Sequence, residues 1–375
     1  MRKLLITMMM LISLLAAGIA AAQEGEKLGG AISEGMIPLF SALDINANNQ
    51  PALMLSDGSV IQVWAWDGSA WAQAGEGLTT EGLVNKFAVG ANGEALVSYL
   101  EATESGSGAL KVAFWDGTAW ATLGEMINLF PDSGSFNFDE SLLITAEGQP
   151  VIAWTETPDF MSPDQVYVRQ WDGSTWQPLG DLESLNLNTA SSADMTAITA
   201  LPEGGFMVAW GEDGMVFERT WDGTAWSDAA QVGNHSDYQT DLLSLETTPA
   251  GVVLTRALWS EGIVEVSLYN NAEWLELPGL ESVPALAAVG YADQISIGAD
   301  AEGVIYLAWV NNTDNVAGAA RWNGTAWEDV GAAVTFETLV SAPIAIAGDG
   351  TLYTARLDML AGATGIEVFA YPAAQ

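Results

Sequence analysis

Short runs of alternating apolar and polar residues recur along the whole chain and are separated by glycine-rich turns. The clearest group comprises Met195–Ala200, Phe206–Trp210 and Met215–Trp221, with a fourth run from Thr224 onward. Runs of this kind, bounded by Gly, Asp and Pro, predict β-strands rather than helices. Four of them in succession predict one antiparallel sheet.

A second pattern is a pair of aromatic residues on either side of a short turn. The stretch WDGTAW occurs letter for letter at Trp115–Trp120 and at Trp221–Trp226. A period of about fifty residues, with four strands in each unit, is typical of the blades of a β-propeller. Aligned on its first aromatic residue, the unit recurs at Trp66, Trp115, Trp171, Trp221, Tyr269, Trp322 and Tyr371.

The turn in this unit predicts how its tryptophans are used. Asp222-Gly223 is a favoured pair for a two-residue type I′ loop. Such a loop pairs Trp221 with Thr224 and places Arg219 opposite Trp226, so both rings lie on one face of the hairpin. We interpret the pair as packing between neighbouring blades. The alternative is an exposed aromatic platform for a sugar, repeated in each blade.

The two ends of the chain predict how the ring closes. The last unit, from Ala342 to Tyr371, stops before a fourth strand, whereas Glu26–Gly29 precedes the first complete unit. The segment Leu28-Gly29 matches the fourth-strand ends Leu123-Gly124 and Leu179-Gly180. We therefore predict an all-β fold, a seven-bladed β-propeller of four-stranded blades, in which an N-terminal strand completes the last blade and removes the exposed edge.

With these W-D-G-x-x-W units, the chain resembles the seven-bladed propellers of the kelch and sialidase-like groups and secreted bacterial repeat proteins. It lacks the glycine doublet of kelch repeats, and its adjacent Asp222 and Gly223 differ from the sialidase-like Asp-box S-x-D-x-G-x-x-W. Sialidase activity would imply an arginine triad with tyrosine and acidic partners near the axis. Three arginines lie on predicted outer third strands instead: Arg169, Arg219 and Arg321.

The N-terminus and the composition limit the compartment and the partners. Met1–Ala22 reads as a signal peptide, because Arg2 and Lys3 precede an apolar run that ends in small residues. A membrane anchor is the alternative. We expect residues 23–375 to form a single propeller domain that is secreted or periplasmic. The net charge of −38 disfavours nucleic acid and anionic membrane surfaces, and without cysteine there is no disulfide.

Candidate ligand-binding residues lie on the rim opposite the W-D-G turns, where the loops vary most between blades. Loops on a rigid scaffold can diverge in this way to bind a partner. Aromatic and acidic residues in these loops are the candidates: Phe136, Phe138, Asp159, Phe160, Asp164, Tyr238 and Tyr291.

Two further segments carry possible metal ligands. Asp44, Asn46 and Asn48 place oxygen atoms at every second residue, as calcium loops do, although a plain Asx-rich turn is the favoured interpretation. His235, the only histidine, has Asp237 nearby, but a lone histidine is a weak metal site. Apart from possible calcium, no cofactor is expected.

The sequence therefore favours a monomeric, non-enzymatic propeller that binds a protein or a glycan on its variable rim. Two alternatives remain: a glycan-active enzyme, hydrolase or lyase, with carboxylates at the axis, and a multivalent lectin with one aromatic site in each blade. An enzyme requires an axial pocket with carboxylates of unequal pKa. A lectin requires the repeated tryptophans to be exposed.

Overall fold

The computed structural model describes residues 25–80, 82–103, 108–131, 138–159, 161–233, 240–258, 263–270, 272–280, 283, 294–311, 316–330, 334–335, 343–356 and 365–373. Regular structure in these residues consists of β-strands in seven antiparallel sheets, so the predicted seven-bladed fold is confirmed. The described residues include no helix long and apolar enough to cross a membrane. The predicted signal peptide, Met1–Ala22, lies outside them.

Each sheet is one blade, and its strands follow in chain order from the axis outward. Blade 1 contains Phe40–Ile45, Pro51–Ser56, Val60–Trp66 and Trp71–Gln73, with Leu78–Thr79 also paired to the third strand. Blade 2 contains Leu83–Val89, Ala95–Ala102, Gly108–Trp115 and Trp120–Thr122. Blade 3 contains Ser141–Ile144, Pro150–Glu156, Gln165–Trp171 and Trp176–Pro178. Blade 4 contains Ala193–Ala200, Phe206–Glu212, Met215–Trp221 and Ala230–Val232.

The remaining three blades follow the same plan. Blade 5 contains Leu242–Thr248, Gly251–Leu258, Ile263–Asn270 and Glu273–Glu276. Blade 6 contains Gln294–Ala299, Ile305–Asn311, Val316–Trp322 and Trp327–Asp329, with Val334–Thr335 also paired to the third strand. Blade 7 contains Ile344–Ile346, Leu352–Arg356, Glu367–Tyr371 and the N-terminal strand Glu26–Lys27.

The ring closes as the sequence predicts. Glu26 pairs with Ala370 and Lys27 with Phe369, and the backbone N–H of Leu28 donates to the carbonyl of Val368. The first strands of neighbouring blades contact one another around the axis, and the first strands of blades 7 and 1 also touch. No blade edge is left open at the junction, because the two ends of the chain share one sheet.

The hydrophobic core is divided among the seven interfaces between blades, each with its own cluster of buried side chains. Between blades 3 and 4, for example, Val151 and Val166 pack with Phe206 and Trp210. The second strands are covered on both faces, which is why they read as continuous apolar runs such as PALMLS at Pro51–Ser56.

The register of the W-D-G turn differs from the prediction. Trp221 pairs with Trp226 rather than with Thr224, because the closing pair is Asp222 with Ala225. Positive φ falls on Gly223 alone, at +97°, so the turn centre lies one residue later than predicted. Asp222 instead accepts the backbone N–H groups of Thr224 and Ala225 through its carboxylate. These bonds close the turn from the side chain, as in an Asx turn.

Arg219 also lies elsewhere than the predicted position opposite Trp226. Its guanidinium donates to the backbone carbonyls of Leu185 and Ser227, at 3.0 Å and 2.6 Å. It therefore fastens the interblade crossover before blade 4 to the outer edge of that blade.

In five blades the tryptophan pair holds the preceding blade, as the packing interpretation predicts. Trp226 donates its Nε1–H to the carbonyl of Leu179, and a Cβ added to Gly180 would lie 3.1 Å from both Trp221 and Trp226. Gly180 has a φ of +69°, so both the backbone conformation and the ring contact select glycine here. The same indole-to-carbonyl bond recurs in five blades: Trp71 to Leu28, Trp120 to Ala74, Trp176 to Leu123, Trp226 to Leu179 and Trp327 to Leu277.

Candidate active site

A cavity of about 640 Å³ runs along the axis of the ring. The first strands of all seven blades contribute to its wall. Its volume lies in the range of small-molecule binding sites. The axis is therefore the one place where side chains of every blade can meet a common ligand.

Equivalent positions in the seven first strands can be matched through the strand registers. The position occupied by Asp44 in blade 1 faces the next blade and lies close to the rim that carries the W-D-G turns. We call the seven residues at this position the axial column. They are Asp44, Ala88, Leu143, Thr199, Glu246, Gly298 and Ala345.

Side chains in the axial column bind the backbone of the following blade. Asp44 accepts the N–H of Val89 in blade 2 at 2.8 Å, and Thr199 accepts the N–H of Thr247 in blade 5 at 3.0 Å. In both cases the donor N–H belongs to the residue that follows the column position of the next blade. In blades 1 and 4 the column side chain therefore links two blades by accepting a backbone hydrogen bond, and any side chain with a suitably placed oxygen could do so.

Two members of the column are carboxylates, in blades 1 and 5, whose first strands face each other across the axis. Burial raises the pKa of Asp44 to about 6, although hydrogen bonds from the Val89 and Ile45 N–H groups act in the opposite direction. Enclosure by the blades and, secondarily, repulsion from Asp44 raise the pKa of Glu246 to about 8. The Glu246 side chain is exposed to the channel, and solvent there opposes the rise of its pKa.

The other charged groups of the cavity wall have different surroundings. Glu140 is buried and accepts a hydrogen bond from the Ser98 hydroxyl at 2.7 Å, so it is part of the packing between blades 2 and 3. Lys86 is exposed, and its backbone N–H donates to the Ser98 hydroxyl. Asp44, Glu140 and Glu246 together outnumber this single cation among the described lining residues. The potential along the axis is therefore negative.

A pair of carboxyl groups with separated pKa values can divide acid and base roles. At neutral pH the group with the higher pKa holds a proton that it can donate, while the other is ionised and can accept one. Glu246 and Asp44 have this relationship, and both line the axial cavity. The axial cavity is therefore the candidate active site.

Of the predicted rim residues, the structure describes Phe138, Asp159 and Asp164, and these three have different surroundings. Phe138 is fully buried in the core between blades 2 and 3, so its prediction as a ligand-binding residue is corrected. Asp159 closes its own loop by accepting from Met161 and Ser162, and Asp164 binds Ser192 in the next crossover. The other rim candidates lie outside the described residues: Phe136, Phe160, Tyr238 and Tyr291, together with His235.

The predicted calcium ligands make a turn of their own. Asn46 accepts the N–H groups of Asn48 and Gln50 through its side-chain oxygen, as an Asx turn does. Both oxygens of Asp44 accept backbone N–H groups, those of Ile45 and Val89. Within the described residues, no group of three or more His, Cys, Asp or Glu side chains could hold a metal ion.

Comparison with solved structures agrees with this fold. An ulvan lyase, crystallised with its bound sugar -[GlcA(1-4)Rha3S]-, is similar with a TM-score of 0.54 and 11% identity, over 94% of this chain and 95% of that one. The α-L-arabinofuranosidase of Fusarium graminearum has a TM-score of 0.49 and 10% identity, over 76% of this chain and 91% of its own. A lectin of Aleuria aurantia has a TM-score of 0.48 and 12% identity, over 77% and 93%.

At these sequence identities the similarity concerns the fold alone. The arabinofuranosidase and the lectin, with TM-scores below 0.5, support no argument about function. The sequence matches no family model, and a search of curated proteins finds no relative. The comparisons confirm a seven-bladed β-propeller, while the narrower resemblance to kelch and sialidase-like repeats stays a prediction. The preference for a non-enzymatic protein is corrected on one finding, that the fold is similar to that of a polysaccharide lyase.

The sequence argument missed Glu246 and read Asp44 only as a calcium ligand. A chain with 48 acidic residues offers too many carboxylates to choose among by composition. The signal lay in the repeat itself: once first strands are aligned, only two of the seven column positions hold an acid.

Proposed function

We propose that the protein is a glycoside hydrolase that cleaves a neutral glycan in the axial cavity. The observation that carries this proposal is the placement of Asp44 and Glu246, two carboxyl groups of unequal pKa, in equivalent positions of facing blades around one cavity. Most glycoside hydrolases use two carboxyl groups, one on each side of the bond that they cleave.

In this mechanism Glu246 is the general acid. Its surroundings raise its pKa, so near neutral pH more of it is protonated than of an ordinary glutamate, and the protonated form can protonate the glycosidic oxygen as the bond to the leaving sugar breaks. Asp44 is the ionised partner, which either activates water or attacks the anomeric carbon. The N–H groups of Ile45 and Val89 fix the orientation of the Asp44 carboxylate for that role.

Charge distinguishes this proposal from a lyase that acts on an acidic polymer. The ulvan lyase binds a sugar that carries a uronate and a sulfate, and such a chain would bring further negative charge into this cavity. Even with Glu246 protonated, the described charged groups of the wall are two carboxylates, Asp44 and Glu140, and one lysine, in a chain of net charge −38. Repulsion between like charges therefore favours an uncharged substrate.

The proposal is tested by measuring reducing ends released from soluble neutral polysaccharides: arabinan, xyloglucan, mixed-linkage β-glucan and galactomannan. Alginate and polygalacturonate serve as acidic counterparts, with absorbance of unsaturated products recorded to detect elimination. We expect release from at least one neutral polymer and loss of that release in Glu246→Gln. Release from acidic polymers alone, unsaturated products, or no release at all would contradict the proposal.

We also propose that Met1–Ala22 is removed on export and that residues 23–375 act outside the cytoplasm as a monomer. The basic start and apolar run of the N-terminus support the first point, and the closed ring, which leaves no open blade at the junction, supports the second. Intact-mass measurement of the exported protein, with light scattering, tests both. A protein that retains Met1, or a stable dimer, would refute the respective point.

A further inference from the structure

A second cavity, of about 600 Å³, lies on the outer side of blade 3, away from the axis. We call it the blade 3 groove. Its walls are the loop around Pro158 and Pro163, the third strand at Tyr167–Arg169 and the crossover at Leu182–Leu185. The loop belongs to the variable rim that the sequence singles out, so part of that rim does border a cavity.

A difference in crossover length opens this groove. In blade 2 the chain returns to its third strand quickly: Leu123 donates to Val112 and Ile127 to Leu110. In blade 3 the matching residues are Leu179 and Leu185, of which Leu185 donates to Val166. Three residues, 124–126, lie between the two anchors in blade 2, whereas five residues, 180–184, lie between them in blade 3. The two extra residues carry the crossover away from the strand edge.

The strand edge beneath the crossover consequently makes one backbone hydrogen bond fewer among the described residues. Leu123 covers the carbonyl of Val112 in blade 2, whereas among the described backbone bonds none joins Leu179 to the equivalent Val168. By the shared register, the Val168 carbonyl faces the groove, where a hydroxyl group can donate to it.

Aromatic rings form one wall of the groove. Tyr167 packs between the rings of Phe130 and Trp154, with centroid distances of 6.0 Å and 5.6 Å. Trp154 is fully buried, while Tyr167 and Phe130 are half-buried and line the groove. The apolar faces of sugar rings stack on such partly exposed aromatic surfaces, which lose little entropy on binding.

This wall is held rigidly in place. The buried carboxylate of Glu156 accepts the backbone N–H groups of Leu129 and Phe130, at 2.8 Å and 2.6 Å, and the indole N–H of Trp154 at 3.0 Å. Phe130 is thus anchored through its backbone while its ring remains at the groove. Preorganisation of this kind reduces the cost of binding.

Polar side chains complete the groove without giving it a net charge. Gln165 is fixed by bonds from its amide nitrogen to the carbonyls of Pro163, Asp164 and Thr189. Arg169, which donates to the carbonyl of Ile127, and Glu183 supply one charge of each sign. The negative charge of the whole chain disfavours an anionic ligand. The polar groups of the groove can instead form hydrogen bonds with the hydroxyl groups of an uncharged ligand.

We propose that the blade 3 groove binds a short stretch of a neutral oligosaccharide, as a site separate from the axial cavity. Sugar rings lie against Tyr167 and Phe130, and their hydroxyl groups bond Arg169, the Tyr167 hydroxyl and the Val168 carbonyl. The site holds a polysaccharide on the outside of the ring, whether or not the axial site cleaves it.

The test is affinity electrophoresis of the full chain in gels that contain arabinan, xyloglucan, mixed-linkage β-glucan or galactomannan. Phe130→Ala removes one ring of the wall, and deletion of Asp181 and Leu182 gives the crossover the length that it has in blade 2. Leu275→Ala, an exposed apolar residue of blade 5, is the matched control. Circular dichroism verifies that each variant is folded.

We expect at least one neutral polymer to retard the wild type, Leu275→Ala and Glu246→Gln equally. Retardation of Phe130→Ala should be weaker by on the order of 10-fold in dissociation constant, which corresponds to about 1.4 kcal/mol, and the deletion should weaken it at least as much. If Glu246→Gln alone loses retardation, the sugar binds only at the axis and the groove proposal is wrong. Retardation by no neutral polymer, or equal retardation of all folded variants, also overturns it.

Discussion

The axial column and the tryptophan pairs occupy the same seven blades but differ in how far the repeats have diverged. The pairs keep the same residues and the same contact, an indole N–H on the carbonyl of the preceding blade, in five blades. The column has six different residue types at seven positions, including two acids. Packing between identical blades demands one solution, repeated around the ring.

A ligand on the axis does not require the same residue in every blade. It meets each blade once and from a different direction, so each blade can present a different side chain. Constancy within the repeat therefore marks structure, whereas chemistry can occur at the diverged column positions that line the cavity, which are Asp44, Ala88 and Glu246. The alternative interpretation of the tryptophan pairs, an exposed aromatic platform for a sugar, is not supported, because these rings contact the neighbouring blade instead.

The largest contrast is expected from substitutions within the column itself. Glu246→Gln keeps the size of the side chain but removes the proton that we assign to the general acid. The rate of hydrolysis of the neutral polysaccharide that the wild type cleaves should therefore fall by about 10²- to 10⁴-fold. Thr199→Val, at the equivalent position of blade 4, should leave the rate unchanged within about twofold, because threonine there only binds Thr247. Initial rates measure both, and equal losses would show that the column acts only through structure.

Next in size is the contact between a tryptophan pair and the preceding glycine. A Cβ at Gly75 would lie 2.7 Å from Trp115, whereas one at Gly117 has no atom within 4 Å, and both glycines have positive φ. Gly117→Ala should cost about 1–2 kcal/mol, from backbone strain alone. Gly75→Ala should cost about 1–3 kcal/mol more, because the ring must move. Urea unfolding gives the two values, and equal losses would mean that the ring contact contributes nothing.

A smaller difference should separate two tryptophans of this repeat. Trp226→Phe leaves the carbonyl of Leu179 without its donor, at a cost of about 1–3 kcal/mol. In blade 5 the Nε1 of Trp274 is buried without a hydrogen-bond partner among the described residues, so Trp274→Phe also removes an unfavourable buried group. It should be milder by about 1 kcal/mol. If thermal melting shows Trp274→Phe to be the more destabilising change, the indole-to-carbonyl bond is not what fastens the blades.

The smallest effect is the dependence of stability on pH. The folded-state pKa of Glu246 is raised, so the folded protein binds this proton more tightly than the unfolded chain does. Stability should therefore fall as pH rises from about 4.5 towards 8, the direction set by linkage. Glu246→Gln should make the melting temperature less sensitive to pH over this window. An unchanged slope would show that Glu246 titrates normally in the folded state.

The sequence was sufficient for the architecture because the evidence for it is repeated. Seven aromatic units near one period define the blade number, and the match of Leu28-Gly29 to Leu123-Gly124 predicts the closing strand. The turn register was wrong by one residue. Asp222 can either occupy the turn centre or bond to the backbone from its side chain, and the residue types alone do not distinguish these uses.

The site was less predictable, for two physical reasons. Burial decides whether an aromatic rim residue can bind, and Phe138 lies in the core although its sequence neighbours resemble a loop. The pairing of Asp44 with Glu246 is an electrostatic interaction across the axial cavity between residues far apart in the chain, which no local spacing encodes. The blade 3 groove depends on two extra crossover residues, whose effect appears only when blades are superposed through their registers.

The most direct test of the central claim, that chemistry takes place at the axis, is a crystal structure of Glu246→Gln with an oligosaccharide of the polymer that the wild type cleaves. We predict a sugar chain in the axial cavity, with a glycosidic oxygen within hydrogen-bonding distance of the side chain at position 246 and Asp44 on the other side of the bond. A chain bound only in the blade 3 groove, or a sugar in the cavity with neither side chain near a glycosidic bond, would contradict the claim.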